Sequence, residues 1–292
     1  DNTTGSNNSA FGLCALSNNT TASNNTAVGY ASLCANTTGS ENTAIGRNAL
    51  VLNTTGRYNV AVGDNTLDAN TTAGCNTAIG RVSLSSNTTG NSNTAIGYQS
   101  LYSNTTASNN TAVGFCSLKA NTTGADNTSL GSNSLLTNTT GNYNTAFGQG
   151  AMYYNSTGSN NVAVGKSSLF KNTANNNTAV GDSSLKCNTT GTCNVAVGYS
   201  SLEANTTGVN LVAIGMHSLG ANTTANNNTA VGFETLCDNT TGTSNTAMGV
   251  QALRDNTTAS NNTAVGFYSM ISNTTGTFNT ASGAYSLDAN TT

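Results

Sequence analysis

The sequence contains no proline and no tryptophan, a single histidine, and charged side chains at only 7% of its positions. Each scarcity closes off a class of protein. Soluble globular domains carry roughly 25% charged residues, so an ordinary globular domain is not what these 292 residues encode. Lys and Arg number 8 against 11 Asp and Glu, for a formal charge of −3. That leaves no basic surface able to track phosphates, which excludes nucleic acid as an expected partner. No apolar run approaches the ~18 residues of a membrane span, and no secretory leader opens the chain. The lack of proline works in the opposite sense, because a backbone ladder can then continue without losing a donor. The text starts at Asp1-Asn2-Thr3-Thr4 and stops at Asn290-Thr291-Thr292, inside a pattern, and reads as a stretch of a longer protein.

What the sequence has instead is a period. The phrase Asn25-Thr26-Ala27-Val28-Gly29 returns as Asn42-Thr43-Ala44-Ile45-Gly46 and as Asn59-Val60-Ala61-Val62-Gly63. Its glycine recurs every 17 residues from Gly12 to Gly283, with a single step of 16 between Gly165 and Gly181. Residues 1–292 are therefore one repeat array of seventeen units. A unit this short is below the ~33 residues of helix-pair repeats and the ~20 of leucine-rich ones. The expected fold is all-β, a parallel β-solenoid or β-roll with seventeen 17-residue coils, standing alone or in a trimeric or filamentous assembly. At ~4.8 Å per coil the rod would be about 80 Å long.

With the recurring glycine as first place, each row of the repeat carries its own expectation. Gly at the first place is never substituted, as a positive φ or a close backbone approach requires. The fifth place is always Leu or Met, from Leu16 through Met152 to Leu287, and stacks into an apolar spine. Thr-Ala-Val at the fifteenth to seventeenth places suits a pleated strand. The fifteenth and seventeenth share one face, expected to be buried, and the sixteenth, almost always Ala, is expected on the outer face against a second chain. The alternative is that Ala faces a narrow interior of its own chain.

Asparagine forms two rows. The fourteenth place, including Asn25, Asn42, Asn59, Asn76, Asn93 and Asn110, gives way only at Leu211 and is read as a stacked hydrogen-bonding ladder. The eighth place opens an Asn-x-Thr acceptor for N-linked sugar at Asn2, Asn19, Asn36, Asn53, Asn70, Asn87, Asn104, Asn121, Asn138, Asn155, Asn188, Asn205, Asn222, Asn239, Asn256, Asn273 and Asn290. Two readings stand for that row: covalent glycans if it faces outward, or a turn with an internal Asn and Thr ladder. Threonine O-glycans are compatible with the sequence as well. In the shortened unit Asn172-Thr173 is followed by Ala174, which removes the acceptor there.

Chemistry-bearing groups are sparse. Seven cysteines lie at scattered places with no C-x-x-C, so no metal framework or cofactor site is expected. Cys187 and Cys193 flank one Asn-Thr-Thr-Gly-Thr loop and are a candidate disulfide. His217 falls at a variable place and has no second His to complete a nucleophile's activating chain. Carboxylates are too few for a calcium ladder or a glycosidase pair. No catalytic residue is expected.

The Asn-Thr-Ala-Val-Gly phrase followed by a Ser-Leu step resembles the head repeats of trimeric autotransporter adhesins of the YadA type, and repeat segments of phage and viral tail fibres. In the adhesins that phrase belongs to a left-handed parallel β-roll of three packed chains, and the unit here is longer than that family's usual repeat. The dense sequons are similar to those of glycan-coated extracellular fibrils. These resemblances imply a structural fibre or stalk, glycosylated or adhesive and non-catalytic, at the cell or virion surface or outside the cell. Self-association and contact with a cell surface or glycan are the implied partnerships. The alternatives are an ice-binding solenoid, which needs an exposed and uninterrupted Thr row, and a polysaccharide-processing β-helix, which needs clustered charged residues.

Overall fold

The computed structural model describes residues 2–291. The protein is all-β, and the chain winds as a parallel β-solenoid in which each repeat supplies one strand of three residues. Two units divide it, Asp1–Asn144 and Thr145–Thr292. The first holds β1 (Ser9–Phe11), β2 (Thr26–Val28), β3 (Thr43–Ile45), β4 (Val60–Val62), β5 (Thr77–Ile79), β6 (Thr94–Ile96), β7 (Thr111–Val113) and β8 (Thr128–Leu130). The second holds β9 (Thr145–Phe147), β10 (Val162–Val164), β11 (Thr178–Val180), β12 (Val195–Val197), β13 (Val212–Ile214), β14 (Thr229–Val231), β15 (Thr246–Met248), β16 (Thr263–Val265) and β17 (Thr280–Ser282).

Within each unit consecutive strands pair in parallel, and every residue meets the residue at the same place of the next coil. In the first unit Ala10 pairs Ala27 and Ala44 pairs Ala61. In the second, Val162 pairs Thr178 across the shortened coil, so the 16-residue step does not shift the register. The missing residue is absorbed in the Asn-Thr-Thr turn, where Asn172 bonds Ala174 at 2.8 Å.

Each strand ends at the first-place glycine, whose φ lies between 123° and 142°. L side chains do not occupy that region. At Gly114 (φ +135°) an added Cβ would also sit 2.6 Å from the Gly131 carbonyl oxygen of the next coil. The backbone then turns through left-handed residues that are not glycine. The third and fifth places of the coil starting at Gly29 are Ala31 (φ 53°) and Leu33 (φ 50°), and the thirteenth is Glu41 (φ 63°). Such conformations cost roughly 1–2 kcal/mol per residue. They persist because the turn feeds its amides into the neighbouring coils: Ala31 N donates to Leu13 O at 2.9 Å, and Leu33 N to Ala49 O at 3.0 Å. The eleventh-place glycines show no such φ, in keeping with the alanines that replace them in other coils.

The interior is narrow. The fifth-place row is its spine, with Leu33, Leu84, Leu135, Leu169 and Leu219 fully buried. Small residues of the fourth place, such as Ser100 and Ser117, and the sixteenth-place alanines close around it, and both rows are fully enclosed away from the terminal coils. The strand therefore faces the opposite way from the expectation of a buried fifteenth and seventeenth place. Alanine points inward, while the Thr or Val before it and the Val or Ile after it lie at the surface. The reason is volume: a coil already holding Leu has room for a methyl group on its strand side and not for a branched chain. Ser129, the only hydroxyl in the alanine row, is accommodated by bonds to Ser117 Oγ at 2.8 Å and Ser134 Oγ at 2.9 Å. Enlarging this row overpacks the core, so Ala112→Leu should destabilise by roughly 1–3 kcal/mol. Ile79→Ser on the outer face should stay within about 0.5 kcal/mol of the parent. Urea unfolding of the two variants checks the assignment, and equal losses would contradict it.

Candidate functional surfaces

Both asparagine rows are internal. Asn36, Asn53, Asn121 and Asn205 of the eighth place are fully buried, as are Asn25, Asn42, Asn59, Asn76, Asn93 and Asn110 of the fourteenth. Asn121 Nδ2 donates to Asn104 Oδ1 of the preceding coil at 2.9 Å and to Gly124 O, three residues on, at 2.8 Å. Asn205 repeats this in the second unit, to Asn188 Oδ1 at 2.8 Å and Gly208 O at 3.2 Å. Fourteenth-place residues interlock with them: Asn110 N donates to Asn93 Oδ1 at 3.0 Å, and its Nδ2 reaches the same Gly124 O at 3.0 Å. One carbonyl thus receives both ladders. Where Leu211 breaks the fourteenth row, its own amide still donates to Asn194 Oδ1 at 3.0 Å, and its side chain is fully buried.

Within the fold the Asn-x-Thr row forms an internal ladder. The nitrogen that would carry an N-linked sugar has two hydrogens, and at Asn121 one is donated to its own coil and the other to the coil before. A glycan there would displace a bond and has no space to occupy. Of the candidate acceptors, Asn2 is exposed, Asn290 is half-buried, and those from Asn19 to Asn273 are buried. The shortened coil, which has no acceptor, keeps the ladder: Asn188 Nδ2 donates to Asn172 Oδ1 at 2.7 Å.

The other singled-out residues do not converge. Cys187 and Cys193 are both free thiols. The loop between them is closed instead by Asn188 Nδ2 on Gly191 O at 2.9 Å. Burial pushes the Cys237 thiol up to about 11, away from the thiolate. His217 stands edge-on to Tyr199 with ring centroids 5.4 Å apart. Among the described residues, no three His, Cys, Asp or Glu gather where a metal ion could bind. The second-place row forms a surface chain in the first unit. Arg47 meets Asp64 at 2.7 Å, Arg81 meets Asp64 at 3.7 Å, the Arg81 guanidinium lies 5.8 Å from the Tyr98 ring, and Tyr98 stacks on Phe115. The hydrogen bond from Arg47 holds the Asp64 carboxyl below its usual range.

The outer strand face is the surface that the repeat itself builds. Ile45, Ile79, Ile96 and Leu130 of the seventeenth place are exposed in the first unit, and Phe147, Ile214, Met248 and Val265 in the second. Leu130, at 48% exposure, is as open as a surface polar residue, although a leucine gains nothing from water. Beside them runs the half-buried fifteenth-place row of Thr with Val60, Val162, Val195 and Val212. The aromatic second-place residues Tyr30, Phe115, Tyr199 and Phe267 flank it. Alternation of large and small side chains along the strand announces two faces, but only the bore of the coil reveals which is inside.

No family model matches the chain, and no curated protein matches it.

Removing one ladder member leaves buried partners unsatisfied, each costing ~1–3 kcal/mol. Asn121→Ala strips the Asn104 Oδ1 and one bond to Gly124 O, so a loss of roughly 2–4 kcal/mol is expected. Equilibrium unfolding measures it, and an unchanged midpoint would contradict the ladder.

Proposed function

We propose that the chain is a non-catalytic structural shaft, a fibre or stalk segment of the extracellular, cell or virion surface that associates with copies of itself. The observation that carries the reading is the apolar row on the outer strand face within each unit, on coils whose interior is already filled. Stability in such an array accumulates through nearest-neighbour interfaces, so length is gained by adding coils. An exposed apolar strip of this kind marks an interaction site. The resemblance to adhesin head repeats and tail-fibre segments favours the same assignment, with the association face moved from the alanine row to the Thr and Val or Ile rows. Contact with a host surface or its glycans belongs to this reading as an adhesive role.

Ice binding draws on the same outward turn of the strand, because it brings the fifteenth-place Thr row to the surface. Its four valines interrupt the hydroxyl pattern, and thermal hysteresis would be the result that favours it.

Placing charge in the strip tests the proposal. A triple variant Ile79→Lys, Ile96→Lys and Leu130→Lys should keep the β-rich circular dichroism spectrum and shift the sedimenting species to monomer. A parent chain that is monomeric at all concentrations would contradict self-association.

A further inference from the structure

The tenth-place threonine is the row that the fold does not account for. It is Thr in every coil that has the place, including Thr38, Thr55, Thr123 and Thr207, and it is exposed throughout the described residues. Other surface places drift freely: the half-buried to exposed twelfth takes Arg57, Asn91 and Val209, and the thirteenth takes Glu41, Tyr58 and Phe278. The ninth-place Thr beside it has an internal task, since Thr37 Oγ1 donates to Thr54 O at 3.1 Å and Thr122 Oγ1 to Thr139 O at 3.1 Å. That task needs only a hydroxyl, and Ser156 takes the place once. Among the described tenth-place residues, only Thr275 turns its hydroxyl onto the backbone, to Thr291 O at 3.4 Å.

The shortened coil supplies a second, independent observation. It lacks the tenth place altogether, and yet both ladders and the strand register run through it, with Asn172 Nδ2 reaching Asn155 Oδ1 at 3.4 Å and Asn177 N donating to Asn161 Oδ1 at 2.9 Å. The coil thus closes without the residue. Its side chain is retained for something outside the chain, and the atom it offers there is an unengaged hydroxyl. A flat contact surface is a poor match, because the neighbouring twelfth and thirteenth places carry side chains as large as Arg57, Tyr58 and Tyr143 in some coils and Gly74 or Ser92 in others. Covalent attachment requires only one accessible atom and space outward from it.

We propose that the tenth-place threonines are acceptors for short O-linked sugars, so that the sugar coat suggested by the Asn-x-Thr text is carried on the Thr and not on the Asn. This rests on the surface-fibre reading, in which such a coat has a use. In the transfer, Thr Oγ1 forms a bond to the anomeric carbon of a sugar held as its nucleoside diphosphate. The bond from that carbon to the diphosphate oxygen breaks, the nucleoside diphosphate leaves with the electron pair, and the hydroxyl proton passes to a base of the transferase. With acceptors about 4.8 Å apart along the stack, neighbouring sugars crowd, which favours one or two unbranched sugar residues per site.

The test is electron-transfer fragmentation mass spectrometry of the native protein from its producing cells, denatured and cleaved, with the same preparation imaged by electron microscopy. Hexose-class mass increments are expected on Thr38, Thr55, Thr123 and Thr207, with unmodified Asn36, Asn53, Asn121 and Asn205. A Thr123→Val variant should lose one increment and keep its unfolding midpoint. Bare threonines overturn the proposal, and so do sugars confined to the asparagines. If fibres are seen with bare threonines, the fibre reading survives and only the acceptor assignment falls. Modified threonines without fibres would do the reverse.

Discussion

The structure depends on one shared acceptor. In coil after coil the carbonyl of the eleventh place receives an amide hydrogen from the eighth-place Asn of its own coil and, except after Leu211, another from the fourteenth-place Asn of the coil before, as Gly124 O does from Asn121 and Asn110. This explains why both rows are asparagine. Only a side chain with an acceptor and two donors can bond along the stack and across the coil together. A buried amide left without partners costs more than a paired one gains, so each ladder is strict about its members. The eleventh place stays small beside these bonds: it is Gly or Ala in every coil, as at Gly124 and Ala107.

The interior chemistry follows. A coil of 17 residues cannot enclose a wide core, and much of its bore is given to the asparagines. What remains holds one Leu per coil, whose full burial is worth roughly 1.5–3 kcal/mol, and small neighbours around it. The left-handed residues at the third, fifth and thirteenth places are the cost of bending the chain so tightly, offset by amides that find partners in adjacent coils, as those of Ala31, Leu33 and Glu41 do. The exterior is then free to vary, and two rows that keep their character there, the seventeenth place, apolar up to Val265, and the threonine of the tenth, carry the functional proposals.

Much of this is legible in the sequence, for physical reasons. The period, the coil, the strand and the glycine that ends it follow from local backbone constraints that repeat in register. The Leu spine and the fourteenth-place ladder follow from rows that tolerate almost no change. The orientation of the strand does not follow, because alternation defines two faces without labelling them. Thr and Val at the fifteenth place look more like a core than Ala does, and only the cross-section of the coil reverses that judgement. The eighth-place asparagines illustrate the same limit: Asn36-Thr37-Thr38 is a three-residue text that reads equally well as an acceptor or as a turn. Burial at that place is fixed by residues one coil away.

The most direct test is hydrogen exchange at the asparagine side chains, followed by nuclear magnetic resonance on selectively labelled protein. If the paired ladders hold the coil together, the Nδ2 hydrogens of Asn121 and Asn110 exchange as slowly as the strand amides of Thr111 and Ala112. Side-chain amides that exchange at the rate of a free asparagine would place these residues in water and contradict the account.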